Sequence, residues 1–159
     1  MIHGMRIPVR SQQGMALIVA LVFLLLLTLI GLNSMQNATL QEKMSSSVQF
    51  RNQSFQQAEA ALRVGETAVS KTSYSLAVCS GVTACAPPPD SGSVTSAGNG
   101  GNVIWIAAGT SAVYGVQNLG ASSGAVGCTT SSQTLYRITG VGFAGNARTV
   151  LESIYAKNC

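Results

Sequence analysis

Side chains able to act as nucleophiles, acid–base groups or metal ligands are scarce in this chain, and their spacing argues against catalysis. The single histidine, His3, lies at the opposite end of the sequence from the four cysteines, Cys79, Cys85, Cys128 and Cys159. No C-x2-C pair occurs, so the ligand set for a zinc site is missing and no metal or other cofactor is expected. After Glu66 the only carboxylates are Asp90, in a proline run, and Glu152, in a β-like run. General acid–base work needs a positioned pair, a Ser-His-Asp set needs a histidine near the others, and a calcium loop needs several oxygen ligands close together. None of these is evident, so no catalytic residue is assigned and the chain is not read as an enzyme.

The cysteines have a different meaning. All four follow a long apolar run, and an even count on one side of a membrane segment reads as disulfides in an oxidising compartment. Four cysteines permit three pairings. The expected one is Cys79–Cys85 with Cys128–Cys159. The first pair is local and stands apart from the last strands, and the second would tie the terminal strand to the loop before them.

Charge is thin as well as low. Charged residues make up 9% of the 159 residues, against about 25% in an ordinary soluble domain. Between Arg10 and Glu42 lie 31 residues without a formal charge. From Thr72 onward only Arg137, Arg148 and Lys157 stand against Asp90 and Glu152, despite the net +4 of the whole chain. A nucleic-acid groove needs clustered cations to neutralise phosphates, so no dedicated nucleic-acid surface is expected.

These residues must be positioned by three successive segments. Residues 1–14 are a short basic prelude. Residues 15–72 favour helix throughout, with no proline between Pro8 and Pro87. The first part, Met15 to Leu32, is an 18-residue apolar run. As a helix it would rise roughly 27 Å, close to the ~30 Å of a hydrocarbon core. No A-x-A-like site follows it, so it reads as a retained membrane helix rather than a secretory signal. Arg6 and Arg10 place its N-terminal end in the cytoplasm by the positive-inside rule. Beyond Asn33 an apolar stripe is expected at Met35, Leu40, Met44, Val48, Phe55, Ala58, Leu62 and Val69. Gly31 and Ser45-Ser46-Ser47 are the places where such a helix would break.

Residues 73–159 change texture, holding 13 of the 17 glycines. Strands are expected at Val103–Ala107 and, more weakly, Ala112–Val116. A hairpin is expected from Thr134–Phe143 and Ala147–Tyr155 around Ala144-Gly145-Asn146. Residues 91–102 and 119–133 read as loops. Trp105 is expected in the core, and Arg137 and Arg148 in solvent. A sheet this small must bury one face against a partner. The fold class is therefore α+β: a long N-terminal helix, membrane-spanning at first and amphipathic later, whose second half packs on a small antiparallel sheet.

The junction SQQGMALIVALVFLLLLTLIGLNSMQNATLQEKM, followed by RNQSFQQAEAALR, resembles the N-terminal region of PilX-type minor pilins of Gram-negative bacteria. The resemblance covers roughly residues 10–66. The final YRITGVGFAGNARTVLESIYA is similar to the terminal hairpin of that family, while residues 73–130 resemble nothing comparable.

The resemblance implies cleavage between Gly14 and Met15 by a prepilin peptidase, then N-methylation of Met15. It implies a subunit that waits in the inner membrane, its head periplasmic, and then joins a pilus fibre. Implied partners are other minor pilins, the major pilin, the inner-membrane pilus platform and a large tip adhesin. Implied roles are priming of assembly, adhesion and twitching motility. One position departs from the pattern. Most pilins carry glutamate at the fifth residue after the cut, and this chain has Val19 there. In the family that carboxylate pairs with a neighbour's terminal amine, and an unpaired charge in an apolar core is expensive. A subunit without it suits the fibre tip, where no subunit lies above. The alternatives are a type II secretion pseudopilin, which shares the same anchor, and a membrane-tethered ligand-binding module.

Overall fold

A computed structural model describes residues 13–125, 127–128 and 132–159. Residues 1–12 of the expected basic prelude lie outside them. Helix α1 runs Gln13–Ser70 without interruption. Gly31 and Ser45–Ser47 are helical residues within it; one glycine costs only about 1 kcal/mol against alanine. The chain divides into two compact units, one ending at Ser45 and the other spanning Ser46–Cys159.

In the first unit every large apolar side chain from Met15 to Met44 is exposed. Thr28, the one hydroxyl between Met15 and Leu32, donates to the Leu25 carbonyl at 2.8 Å and so satisfies itself within the helix.

The second unit is a helix on a sheet. Helix α2, Gly81–Ala84, is a single turn inside the loop between Cys79 and Cys85. Five antiparallel strands follow in sequence order: β1 Gly98–Asn99, β2 Ile104–Ala107, β3 Ala112–Ser122, β4 Gln133–Ala144 and β5 Ala147–Lys157. Gly145 and Asn146 join β4 to β5 across the Ala144–Ala147 pair. Gly145 has φ 53°, a conformation that glycine takes without penalty. Two segments read as loops are partly strand. β1 forms within 91–102, and β3 continues to Ser122 along β4, with a register shift between Asn118 and Gly120. At that shift the Asn118 side chain accepts from Gly120 N–H at 2.8 Å and donates to the Leu76 carbonyl at 2.7 Å. The bond to Leu76, 42 positions away, is invisible to local composition.

The helix–sheet contact is built from small residues. Ser54, Ala58, Ala61, Gly65 and Val69 form the buried stripe of α1. Val69 is 0% exposed and Leu62 packs beside it, so the helix packs on the sheet as expected. The stripe itself needs correction: Val48 and Phe55 are exposed, and serine, alanine and glycine take their place. The reason lies across the interface. A Cβ on Gly142 would sit 2.2 Å from the Ser54 carbonyl oxygen, and one on Gly140 2.6 Å from that of Ala58. Backbone meets backbone here, leaving no room for large side chains. Ser54 and Thr149 hydroxyls bond at 2.7 Å, and Ser153 donates to Glu66 at 2.7 Å, which fastens β5 to the helix.

The opposite face of the sheet holds a second core of Val103, Trp105, Val113 and Val141, flanked by Val94 and Phe143. Trp105 is 2% exposed, and its indole N–H donates to Asp90 Oδ2 at 2.7 Å. Thus Trp105 is core, and Asp90 serves it as a hydrogen-bond acceptor.

Candidate functional site

The most exceptional surface is the start of α1. Gly14 lies in its first turn, and outside its own helical backbone no atom of the described residues lies within 4 Å of where a Cβ would stand. Met15 and Val19 follow on the same helix, both exposed. From Met15 to Leu32 every large apolar side chain is exposed. By length and composition this helix is sufficient to cross a membrane. Isolated exposed apolar residues are ordinary, but contiguous patches of this size mark contact with lipid or with another protein.

The head carries the other sequence-selected residues. Cys79 is bonded to Cys85, with Cα atoms 5.3 Å apart, and Cys128 to Cys159, at 4.7 Å. Arg137 corrects the solvent expectation. Its side chain is only 15% exposed. The guanidinium donates through Nη1 to the Cys85 carbonyl at 2.6 Å and to Gln117 Oε1 at 3.1 Å, and through Nε to Glu152 at 3.0 Å. Gln117 in turn donates to the Ala84 and Ala86 carbonyls. Asn102 donates to the Thr83 and Ala86 carbonyls. Three side chains from the sheet and its approach therefore answer the carbonyls of one irregular loop, which buried backbone requires. Arg148 also departs from the expectation. It lies over the Phe143 ring, 5.3 Å from the centroid, with Nη1 buried.

The braces Gln117 and Asn102 carried no sequence signal, since they sit in strand and loop runs of ordinary composition. Lys157 is another such residue. It donates to the Lys71 and Tyr74 carbonyls, at 2.7 and 2.9 Å, just past the end of α1. There a cation meets carbonyls at the negative end of the helix dipole, the Lys71 carbonyl also accepting from Tyr74 N–H at 3.0 Å. Ala58, Leu62 and Val69 of the expected stripe do lie in the helix–sheet contact, whereas Ala61 and Gly65 were not singled out from the sequence.

The two carboxylates of the sheet and its loops make structural contacts. Glu152 is paired with Arg137, and Asp90 with Trp105. No group of three or more His, Cys, Asp or Glu that would hold a metal occurs among the described residues. Ser122 does stand in a G-x-S-x-G run, Gly120–Gly124. It lies at the end of β3 rather than on a strand-to-helix turn, and its hydroxyl accepts from Gly124 N–H. That geometry is not a nucleophile elbow.

A long, initially apolar helix whose second half lies on a five-stranded antiparallel sheet is a pilin-like α+β architecture. Residues 13–63 match the family model described as PilX N-terminal, so this N-terminal segment is similar to that of PilX proteins. Neither the curated proteins nor the solved structures yield a match to the chain.

Proposed function

We propose that this chain is a minor pilin, a structural subunit that primes pilus assembly and sits at or near the fibre tip. The observation that carries the reading is the uncovered apolar run Met15–Leu32 at the head of a PilX-type segment. Such a helix is stable in a bilayer. It leaves the bilayer at small hydrophobic cost when sibling helices replace lipid. Cleavage between Gly14 and Met15 would remove the basic residues ahead of the run and leave the apolar helix whole. The glycine leaves the peptide bond open to a protease. Before assembly the N-terminus is cytoplasmic and the head periplasmic. Partners are the prepilin peptidase, the inner-membrane platform, the major and other minor pilins and a large tip adhesin. Adhesion and twitching motility follow from fibre assembly.

Val19 supports the tip position. Without a carboxylate at this site, the subunit offers no counter-charge to a terminal amine above it. It still presents its own amine at Met15 to a glutamate below. Mass spectrometry of the mature protein tests the processing. An N-methyl-Met15 terminus is expected, and an intact Met1 terminus on functional protein would overturn it. Site-specific crosslinking of native and Val19→Glu chains tests the position. Native protein is expected at fibre ends and the variant along the shaft; native crosslinks spread along the shaft would sink the tip assignment.

A further inference from the structure

Strand β5 closes the sheet on one side, and its outer edge pairs with no strand among the described residues. The ladder itself fixes which of its groups face outward. Phe143 N–H donates to the Ser111 carbonyl at 2.8 Å, so the odd-numbered residues of β4 turn their backbone groups towards β3. The even-numbered ones then bond β5, through the Gly142–Thr149, Gly140–Leu151 and Ile138–Ser153 pairs. The backbone N–H and C=O groups of Arg148, Val150, Glu152 and Ile154 are therefore left pointing away from the sheet. No loop among the described residues bonds them.

Open edges are ordinarily guarded by proline, a bulge or charges standing in solvent. β5 contains no proline, and it pairs with β4 in one unbroken register from Ala147 to Lys157. Its three charged side chains are turned back onto the head. Arg148 lies over Phe143, Glu152 bonds Arg137, and Lys157 meets the carbonyls past α1. Thr149 and Ser153 bond side chains of α1, so Val150, Glu152 and Ile154 share the other face. There Val150 and Ile154 are 40% and 52% exposed.

We infer that β5 takes up an extended strand of another protein, one with an aliphatic side chain, a cation and a second aliphatic side chain at alternate positions. Donors and acceptors in a row at strand spacing complement another extended backbone, which gives affinity, while alternate side chains give specificity. The aliphatic groups cover Val150 and Ile154. The cation answers Glu152 between them, whose Oε1 takes the Arg137 bond and whose side chain is still 38% exposed. A second copy of this chain does not meet that pattern. Paired antiparallel about Glu152, it would oppose two glutamates. Paired about Val150, it would call on Arg148, which is already committed to Phe143 with Nη1 buried. The inference concerns the head alone, so it and the assembly reading fail separately.

The test uses the full chain, isotope-labelled, in lauryldimethylamine oxide micelles. The probe is the capped peptide GSTVTKTVTSG, which sets valine, lysine and valine on one face. Saturable binding is expected at sub-millimolar concentration. Amide hydrogen exchange, read by NMR, should slow about tenfold at Val150, Glu152 and Ile154 in saturating peptide, while Thr149, Leu151 and Ser153 keep their rates. A peptide with glutamate in place of the lysine should bind about fivefold more weakly. Val150→Pro removes one outward donor and no bond to β4, so it should abolish binding with little change in the thermal melt. If that variant does not fold, the two peptides decide the matter on the native chain. Absence of saturable binding by the lysine peptide would overturn the inference. So would equal affinity for both peptides, slowing confined to residues outside β5, or undiminished binding by folded Val150→Pro protein. Slow exchange at Val150 and Glu152 before peptide is added, with a doubled mass by light scattering, would also overturn it and give the edge to a second copy.

Discussion

Residues up to Ser45 and residues from Ser46 onward solve the problem of apolar surface in opposite ways. Among its described residues the first unit leaves every large apolar side chain exposed, although Met15–Leu32 is almost wholly apolar. The second has few large side chains to bury, yet it closes two cores with Ile138, Val141, Tyr114, Trp105 and their neighbours. Its helix supplies mostly Ser, Ala and Gly to the contact, and two disulfides close its loops. The difference teaches that the first unit is completed by its surroundings, lipid or other helices, whereas the second is completed by its own chain. Substitutions should therefore act on location in one and on folding in the other.

That contrast can be broken most sharply with a disulfide. Replacing Cys128 and Cys159 with serine should destabilise the head by about 4 kcal/mol, since the bridge spans 31 residues of sequence. Membrane retention should be unchanged. The Cys79–Cys85 pair, separated by 6 residues, should contribute about 2 kcal/mol. Denaturant melts measure both, and non-reducing peptide mapping checks the pairing; a Cys79–Cys128 peptide would refute it. The mirror-image experiment is Leu24→Arg. A cation near mid-helix costs about 3 kcal/mol in a bilayer, so membrane fractionation should show loss of retention while the head melts as before. A lower melting temperature for the head would mean that the two units are not independent in this sense.

Gly142→Val probes the small-residue contact. Its Cβ would collide with the Ser54 carbonyl and the Ala58 amide nitrogen, which lie 2.2 and 2.4 Å away. A loss of about 3 kcal/mol is expected. Gly92→Ala, where nothing lies within 4 Å, should be nearly silent. Equal melts for the two would show that the helix does not press on β4.

The smallest expected effect concerns pH. Burial, with a lesser contribution from Tyr114 and Tyr136, raises the Tyr74 hydroxyl above its ordinary 10.0. The folded chain thus holds this proton more tightly than the unfolded chain. The resulting stability is fully present below about pH 10 and is lost as pH rises towards the folded value. Thermal melts should fall slightly through that alkaline window, and Tyr74→Phe should flatten the fall.

Much of the fold was legible because it follows local rules. The proline-free, charge-free run sets a helix, and the alternation around Gly145-Asn146 sets a hairpin. Trp105 in a β-branched run reads correctly as core. The misreadings share one cause. Val48 and Phe55 belong to a helical apolar pattern, yet they are exposed because the sheet presents glycines at Gly140 and Gly142 and admits only small residues. Arg137 has an ordinary strand context, and its burial arises from carbonyls brought 52 positions along the chain from Cys85.

The sequence by itself determined what each segment can tolerate around it. An uncharged apolar helix must find an apolar environment, and residues rich in glycine and β-branched side chains must pair as strands. These are properties of a residue and its near neighbours. Tertiary structure alone decided which helical face is buried, which arginine is structural, and which backbone groups of β5 are left facing outward. Those outcomes depend on distances between residues far apart in sequence, and composition carries no record of such distances until the chain has packed.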